Sequence, residues 1–407
     1  VKVRPAHAAL ALGSGLAFAG GLLALLVAHP TGGPRRPSLE SSVRSVLVSV
    51  SPADGATGVR LDAPVVLGAT QGELGTVVVT AASGAATPAP SRDLGPEPRS
   101  GPAELPGTGD ASHWRSSAPL EPGTTYTVKA TVVDAAGQRA VRRSTFTTLS
   151  PSKVLKVGIG PLDGQTVGIG MPLALYLSSP VQDRAAFQSR LSVTTTPAVA
   201  GAWHWFSDTE LHYRPQAYWP AGTKVAFAAD VAAFDVGDGV WAVTPRTMSF
   251  KIGEAHLSTV DAATHSMTVT AAGAVVRTMP VSTGRDKYPT DSGVHVVSEK
   301  EAQVVMDSAT VGIPRNSPDG YYETVDWDVR ISNSGEFVHA APWSLDDQGH
   351  ANVSHGCVNL SVDDGHWFYD FSVPGDVVTV VGTPKPLAPT NGYGDWNVPW
   401  SEWTALA

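Results

Sequence analysis

The chain has 407 residues, enough for two to four domains, with 28 Lys and Arg against 37 Asp and Glu and a net charge of −9. Charged residues are only 16 %, a single cysteine is present, and 42 % of the residues are hydrophobic. This composition excludes a basic nucleic-acid binder, a disulfide-stapled scaffold and a wholly disordered chain.

Residues 1–28 join a short basic start, Lys2 and Arg4, to an uncharged apolar run from Ala8 to Ala28. That pattern is an export signature, and the run has the length of a membrane span. It predicts a signal peptide or an anchor in the cytoplasmic membrane, and hence an exported protein of the cell envelope. Residues 29–42, rich in Pro, Gly and Ser, follow as a linker.

Residues 43–151 alternate apolar and polar positions between turn residues, the pattern of half-buried strands. Residues 152–253 repeat the order of landmarks. Pro52-Ala53-Asp54-Gly55 answers to Pro161-Leu162-Asp163-Gly164, His113-Trp114-Arg115-Ser116 to His204-Trp205-Phe206-Ser207, and Leu120-Glu121-Pro122-Gly123-Thr124 to Trp219-Pro220-Ala221-Gly222-Thr223. Two immunoglobulin-like β-sandwich modules are predicted, with His113 and His204 as strand residues packing on them. The stretch from Ser83 to Ser112, crowded with Pro and Gly, reads as a long mobile loop inserted in the first module.

From residue 254 to 382 the texture changes. A strand, a hairpin turn at Ala271-Ala272-Gly273 and a second strand ending at Gly284 are followed by further strands, and Asp363–Phe371 is the only convincing short helix. The fold class is mainly β throughout.

The only cysteine lies in Ser354-His355-Gly356-Cys357-Val358-Asn359. A nucleophilic thiolate needs a base or an electropositive partner. His355, two residues away in an extended segment, would share its face. His339, on the predicted strand EFVHA, would complete a Cys–His pair, and the flexible Gly356 exposes amides for an oxyanion. An inert buried thiol and a zinc site are the rivals. The two flanking histidines count against the first. The spacing of His339, His350, His355 and Cys357 fits none of the usual zinc patterns. Asn316 to Tyr322 has the turn residues and tyrosines of a mobile lid.

His339, fourteen intervening residues and then Ser354-His355-Gly356-Cys357-Val358-Asn359 resemble the motif of the L,D-transpeptidases of bacterial cell walls, with a YkuD-type catalytic domain. The resemblance is closest to the mycobacterial and actinobacterial type with immunoglobulin-like modules ahead of the catalytic domain. It extends to Val305-Met306-Asp307-Ser308, Asn316–Tyr321, Val338–Ser344 and Gly394–Trp400. It implies that Cys357 attacks the carbonyl at the L-centre of diaminopimelate in a tetrapeptide stem and releases D-Ala. The thioester would be resolved by the side-chain amine of a second stem, forming a 3→3 cross-link.

The resemblance further implies that His339 is the base, oriented by the carbonyl of Ala340, and that His355 and Gly356 shape the oxyanion site with the Cys357 amide. Tyr321, in a lid from Met306 to about Thr324, would cover the acyl carbonyl. Met306 and Trp343 would line the substrate channel, Asn359 would support the loop, and Ser354 joins this substrate-binding set. Carbapenem-type β-lactams would be covalent inhibitors. No cofactor and no metal are expected, and residues 383–407 would pack on the catalytic domain. Two other outcomes are hydrolysis of the same thioester by an L,D-carboxypeptidase or endopeptidase, and a catalytically silent wall-binding protein.

Overall fold

A computed structural model describes residues 47–82 and 103–405. The predicted export segment, the linker and residues 83–102 of the insert lie outside the described residues.

The first module is a sandwich of two four-stranded sheets. One runs Leu47–Ser51, Val66–Thr70, His113–Ser116 and Gly107–Gly109; the other runs Ala56–Val59, Arg139–Thr148, Thr125–Val133 and Glu73–Ala81. Alternation drives it: in Thr125–Val133, Tyr126, Val128, Ala130 and Val132 all point into the core. The described end of the predicted loop is ordered, with Glu104 bridging to Thr80 and a strand at Gly107–Gly109. Short-range turn residues gave no sign of this pairing, which is made with a strand in another part of the module.

The second module repeats the plan with Val157–Gly160, Leu173–Leu177, Glu210–Pro215 and Gly201–Trp205 in one sheet, and Thr166–Val167, Arg246–Ile252, Lys224–Ala229 and Leu191–Thr196 in the other. The two Asp-Gly turns are equivalent: Asp54 Oδ1 accepts from the Thr145 amide and Asp163 Oδ1 from the Ser249 amide, both at 2.7 Å. The histidine landmark needs correction. His113-Trp114 occupies the third position in its sheet, where the second module has His212-Tyr213 rather than His204-Trp205. Trp114 pairs with Leu67, and Tyr213 with Leu173. Both histidines stand seven residues before their aligned Leu120 or Trp219. His113 is exposed, so its predicted packing role also fails.

In the catalytic domain we label the strands β1 (His256–Asp261), β2 (Ser266–Ala271), β3 (Ala274–Pro280), β4 (Gly293–Val296), β5 (Glu299–Asp307), β6 (Tyr322–Arg330), β7 (Phe337–Ala340), β8 (Val358–Leu360) and β9 (Val377–Val381). The helix α1 spans Val362–Phe371. The single strand expected before Ala271 is two, β1 and β2, because residues 262–265 turn, with His265 at positive φ. One sheet has the order β3-β2-β1-β9-β4 and the other β5-β6-β7-β8. Their inner faces meet in one core that includes Val260, Met267, Val329, Val338, Val358 and Val378. Bridges from Ser282 to Asn359 and from Gly284 to Ser354 tie the end of the β3 strand path to the cysteine loop.

The C-terminal segment packs more widely than on the catalytic domain alone. Asn397 exchanges hydrogen bonds with the Val294 backbone at 2.8 Å on the catalytic side. On the other side it clamps the second sandwich. Buried Arg214 donates to the Val398 carbonyl at 2.8 Å and lies against the rings of Trp396, Trp400 and Trp403. His204 stacks on Trp403 at 4.7 Å, and His212 meets Asp395 at 2.9 Å. Aromatic faces satisfy a buried guanidinium that water no longer reaches.

Candidate active site

β7 and β8 are parallel neighbours in the register Val338↔Val358, His339↔Asn359 and Ala340↔Leu360. Residues two apart in a strand share a face, so Cys357, at the mouth of β8, falls on the side of His339 and Asn359. Val338, Ala340, Val358 and Leu360 fill the core behind them. Helix α1 holds that back face. Ser361 caps it by accepting from the Asp364 amide at 3.1 Å, with Asp363 and Asp364 in its first turn. Gly365 lets it approach β7 so closely that an added Cβ would lie 2.8 Å from the Ala340 nitrogen.

On the front face lies an open cavity of about 270 Å³. It brings together Cys357, His339, His355, Tyr321, Met306, Trp343, Ser354 and Asn359. The other two predicted residues, Gly356 and Ala340, stand behind this wall. His339 is buried, and its Nδ1–H donates to the Ala340 carbonyl at 2.8 Å, which leaves Nε2 as the free basic nitrogen. Burial pushes the imidazole down to about 4, so it is neutral at physiological pH.

The half-buried thiol opens on the same cavity. Its contact is with the Gly335 carbonyl at 3.7 Å, so the thiol and imidazole are not yet hydrogen-bonded. Such bonds commonly form only when substrate binds. Burial, reinforced by Glu336 and Asp328, pushes Cys357 up to about 12. The expected ionised sulfur is therefore corrected to a neutral thiol beside a neutral base. A low-dielectric site favours that pair over a thiolate and an imidazolium.

His355 also departs from expectation. Residues 355–357 form a bend, with Gly356 at φ +130°, so His355 does not share an extended face with Cys357. Its Nε2 accepts from Arg285 Nη2 at 2.8 Å, and its ring lies 4.9 Å from that of Tyr321. Arg285 in turn binds Asp319 at 2.5 Å, and Asp319 also takes Lys287 and Tyr288. His355 thus anchors the lid to the cysteine loop. The Gly356 amide donates to Ser354 Oγ at 3.1 Å, and Ser354 Oγ–H donates to the Cys357 carbonyl at 2.6 Å. The Gly356 amide is therefore committed to shaping the loop in this state rather than free for an oxyanion.

The lid connects β5 to β6. Ser308 and Tyr321 close it through two hydrogen bonds of 3.1 Å. Burial raises the Tyr321 phenol to about 12 and keeps it a neutral donor. Trp343 is 54 % exposed at the rim, 6.0 Å from the His339 ring. Asn359 Nδ2 donates to Ser344 Oγ at 3.0 Å, and Gln348 donates to the Ala341 carbonyl at 3.2 Å. Arg285, Gln348 and Glu336 escaped the sequence reading, and Asp319 and Ser344, though inside the resembling segments Asn316–Tyr321 and Val338–Ser344, were given no role there. Arg285 stands in no motif and lies 34 residues from Asp319.

A neutral base of fixed tautomer beside a lone thiol, under a lid and behind two sandwich modules, defines an enzyme of cysteine acyl transfer. Residues 100–235 match the bacterial Ig domain family and residues 255–380 the L,D-transpeptidase catalytic domain. L,D-transpeptidase 2 of Mycobacterium tuberculosis is 38 % identical over 359 residues, covering 88 % of this chain and 84 % of its own. L,D-transpeptidase 1 of the same species is 39 % identical over 224 residues, covering 55 % and 84 %. A solved LD transpeptidase in complex with imipenem superposes with a TM-score of 0.50 at 37 % identity, over 57 % of this chain and all of that one. The chain belongs to the L,D-transpeptidase family.

Proposed function

We propose that this peptidoglycan L,D-transpeptidase forms 3→3 cross-links through a thioester on Cys357. As Sγ attacks the carbonyl at the L-centre of diaminopimelate in a tetrapeptide stem, its proton passes to His339 Nε2 and then to the departing D-Ala amine. The side-chain amine of a second stem attacks the thioester. The new C–N bond forms, the C–S bond breaks, and the amine's proton returns to sulfur through the same imidazole. Tyr321 acts as a neutral donor over the acyl oxygen, with Met306 and Trp343 flanking the stems.

The observation that carries this reading is the tautomer of His339. With Nδ1–H on the Ala340 carbonyl, the one nitrogen left is basic and uncharged. A general base needs both properties. The test is mass spectrometry of products from purified protein and tetrapeptide stems. Cross-linked dimer is expected from the wild type, and none from Cys357→Ala. Tripeptide alone would make the enzyme a carboxypeptidase.

Carbapenems acylate the same thiol in this proposal, supported by the imipenem complex of the solved relative. We also place the enzyme on the outer face of the cytoplasmic membrane. The support is the basic start and the apolar run from Ala8 to Ala28. Recovery of the full chain in the cytosolic fraction would overturn that placement.

A further inference from the structure

Two acidic side chains line the catalytic cavity, Asp319 and Glu323. They differ in what surrounds them. Asp319 is neutralised by Arg285 and Lys287, both at 2.5 Å. Asp307, at the same end of the hairpin, is paired with Arg315. Glu323 stands exposed on β6 opposite Met306, and among the described residues it has no cationic partner. His339 and His355, which share the cavity, are both held towards the neutral form by burial. Arg285 and Lys287 leave the Asp319 cluster with one surplus positive charge, carried by side chains outside the cavity lining, and Glu323 is the one carboxylate of the lining with no cation on it. In a concave site bounded by low-dielectric protein such a local charge acts strongly on the group that lies against it.

Both stems carry the diaminopimelate side-chain ammonium, but they differ in the group presented at the reacting carbonyl. The donor places its D-Ala carboxylate one residue beyond that carbonyl, where Glu323 repels it. The acceptor leads with the primary ammonium at the end of its flexible side chain. We propose that Glu323 is the acceptor-binding residue and that it holds this ammonium beside the thioester. The inference rests on the transpeptidase reading above. Once held, the ammonium releases one proton to solvent. The neutral amine then forms the C–N bond, the C–S bond breaks, and the second proton passes through His339 to sulfur. Water has no charge for Glu323 to recognise. The carboxylate thus biases the thioester towards aminolysis and away from hydrolysis.

The test uses the full chain, a tetrapeptide donor and a diaminopimelate-containing acceptor stem, with dimer and tripeptide read by mass spectrometry. Glu323→Gln should raise the acceptor KM and lower the dimer-to-tripeptide ratio, each by about tenfold, the scale of one hydrogen bond to a charged group. Glu323→Asp should fall between. Raising salt from about 0.05 to 0.5 M should weaken acceptor use by the wild type and leave Glu323→Gln unmoved, because screening acts only on charge. Glu301→Gln, an exposed carboxylate on β5 away from the cavity, serves as the control and should keep the wild-type ratio. A dimer-to-tripeptide ratio equal to that of the wild type, and a loss of acceptor use with salt as large as the wild type's, would in Glu323→Gln overturn the assignment while leaving Cys357 acylation standing. A wild type that makes neither product would overturn the transpeptidase reading itself, and this assignment with it.

Discussion

The Nδ1–H of His339 donates to the carbonyl of Ala340, its own neighbour in β7, at 2.8 Å. The partner is backbone, so the residue at 340 can change without loss of the bond. His339→Gln should abolish acylation by imipenem, followed as adduct mass. His355→Gln should reduce it less, because His355 is held by Arg285 and serves the lid. The reverse ranking would move the base to His355.

Depression of the His339 imidazole to about 4 also sets the pH response. The base is neutral above that value and is lost only as pH falls through it. The acid limb of the acylation rate should therefore lie below pH 5, not near the ordinary histidine value of about 6.5. A rate–pH profile with an inflection near 6.5 would show that a different group controls the step.

Arg285 bridges His355 and Asp319 and so ties the lid to the cysteine loop. Arg285→Ala should leave the fold intact and loosen the lid. The donor KM should rise roughly tenfold, as for loss of charge-assisted hydrogen bonds. Hydrogen exchange over residues 308–321 should accelerate in the same variant, and protection equal to wild type would contradict the tether.

Gly365→Ala places a methyl group 2.8 Å from the Ala340 nitrogen and forces α1 away from β7. Overpacking of this kind costs about 1–3 kcal/mol. Because β7 carries His339, activity should fall along with the melting temperature, measured by calorimetry and imipenem acylation. A stable but inactive variant would locate the effect in the placement of His339 alone.

Burial raises Asp328, which is fully buried in β6, from 3.8 to about 7. Its folded value lies above its unfolded one. The stability it contributes is intact below about pH 4 and is lost as pH rises through 7, on the order of 2–4 kcal/mol. Asp328→Asn should therefore raise the melting temperature at pH 8, and the gain should shrink towards pH 4. A gain that is the same at both values would rule out the ionisation as its cause.

Much of the molecule was legible along the chain because its signals are local. Alternation in Thr125–Val133 and the apolar strands β7 and β9 announce half-buried and buried sheets. Ser361, with two aspartates behind it, announces α1. The match of His113 to His204 failed because both sit beside Trp, while the sheet order pairs His113 with His212. Proximity in sequence outweighed the seven-residue spacing to the next landmark, which was the better guide.

The sequence by itself determined which atoms can react. One thiol, a histidine on the neighbouring strand and the glycine bend between His355 and Cys357 are fixed by residue type and spacing. Only the tertiary structure decided their state. Burial made the thiol and the imidazole neutral, since charge is penalised wherever water is excluded. Contacts across 70 residues turned His355 to Arg285, and contacts across 183 residues joined His212 to Asp395 in the C-terminal clamp. Solvation and long-range pairing belong to the assembled molecule, and no local pattern of residues encodes them.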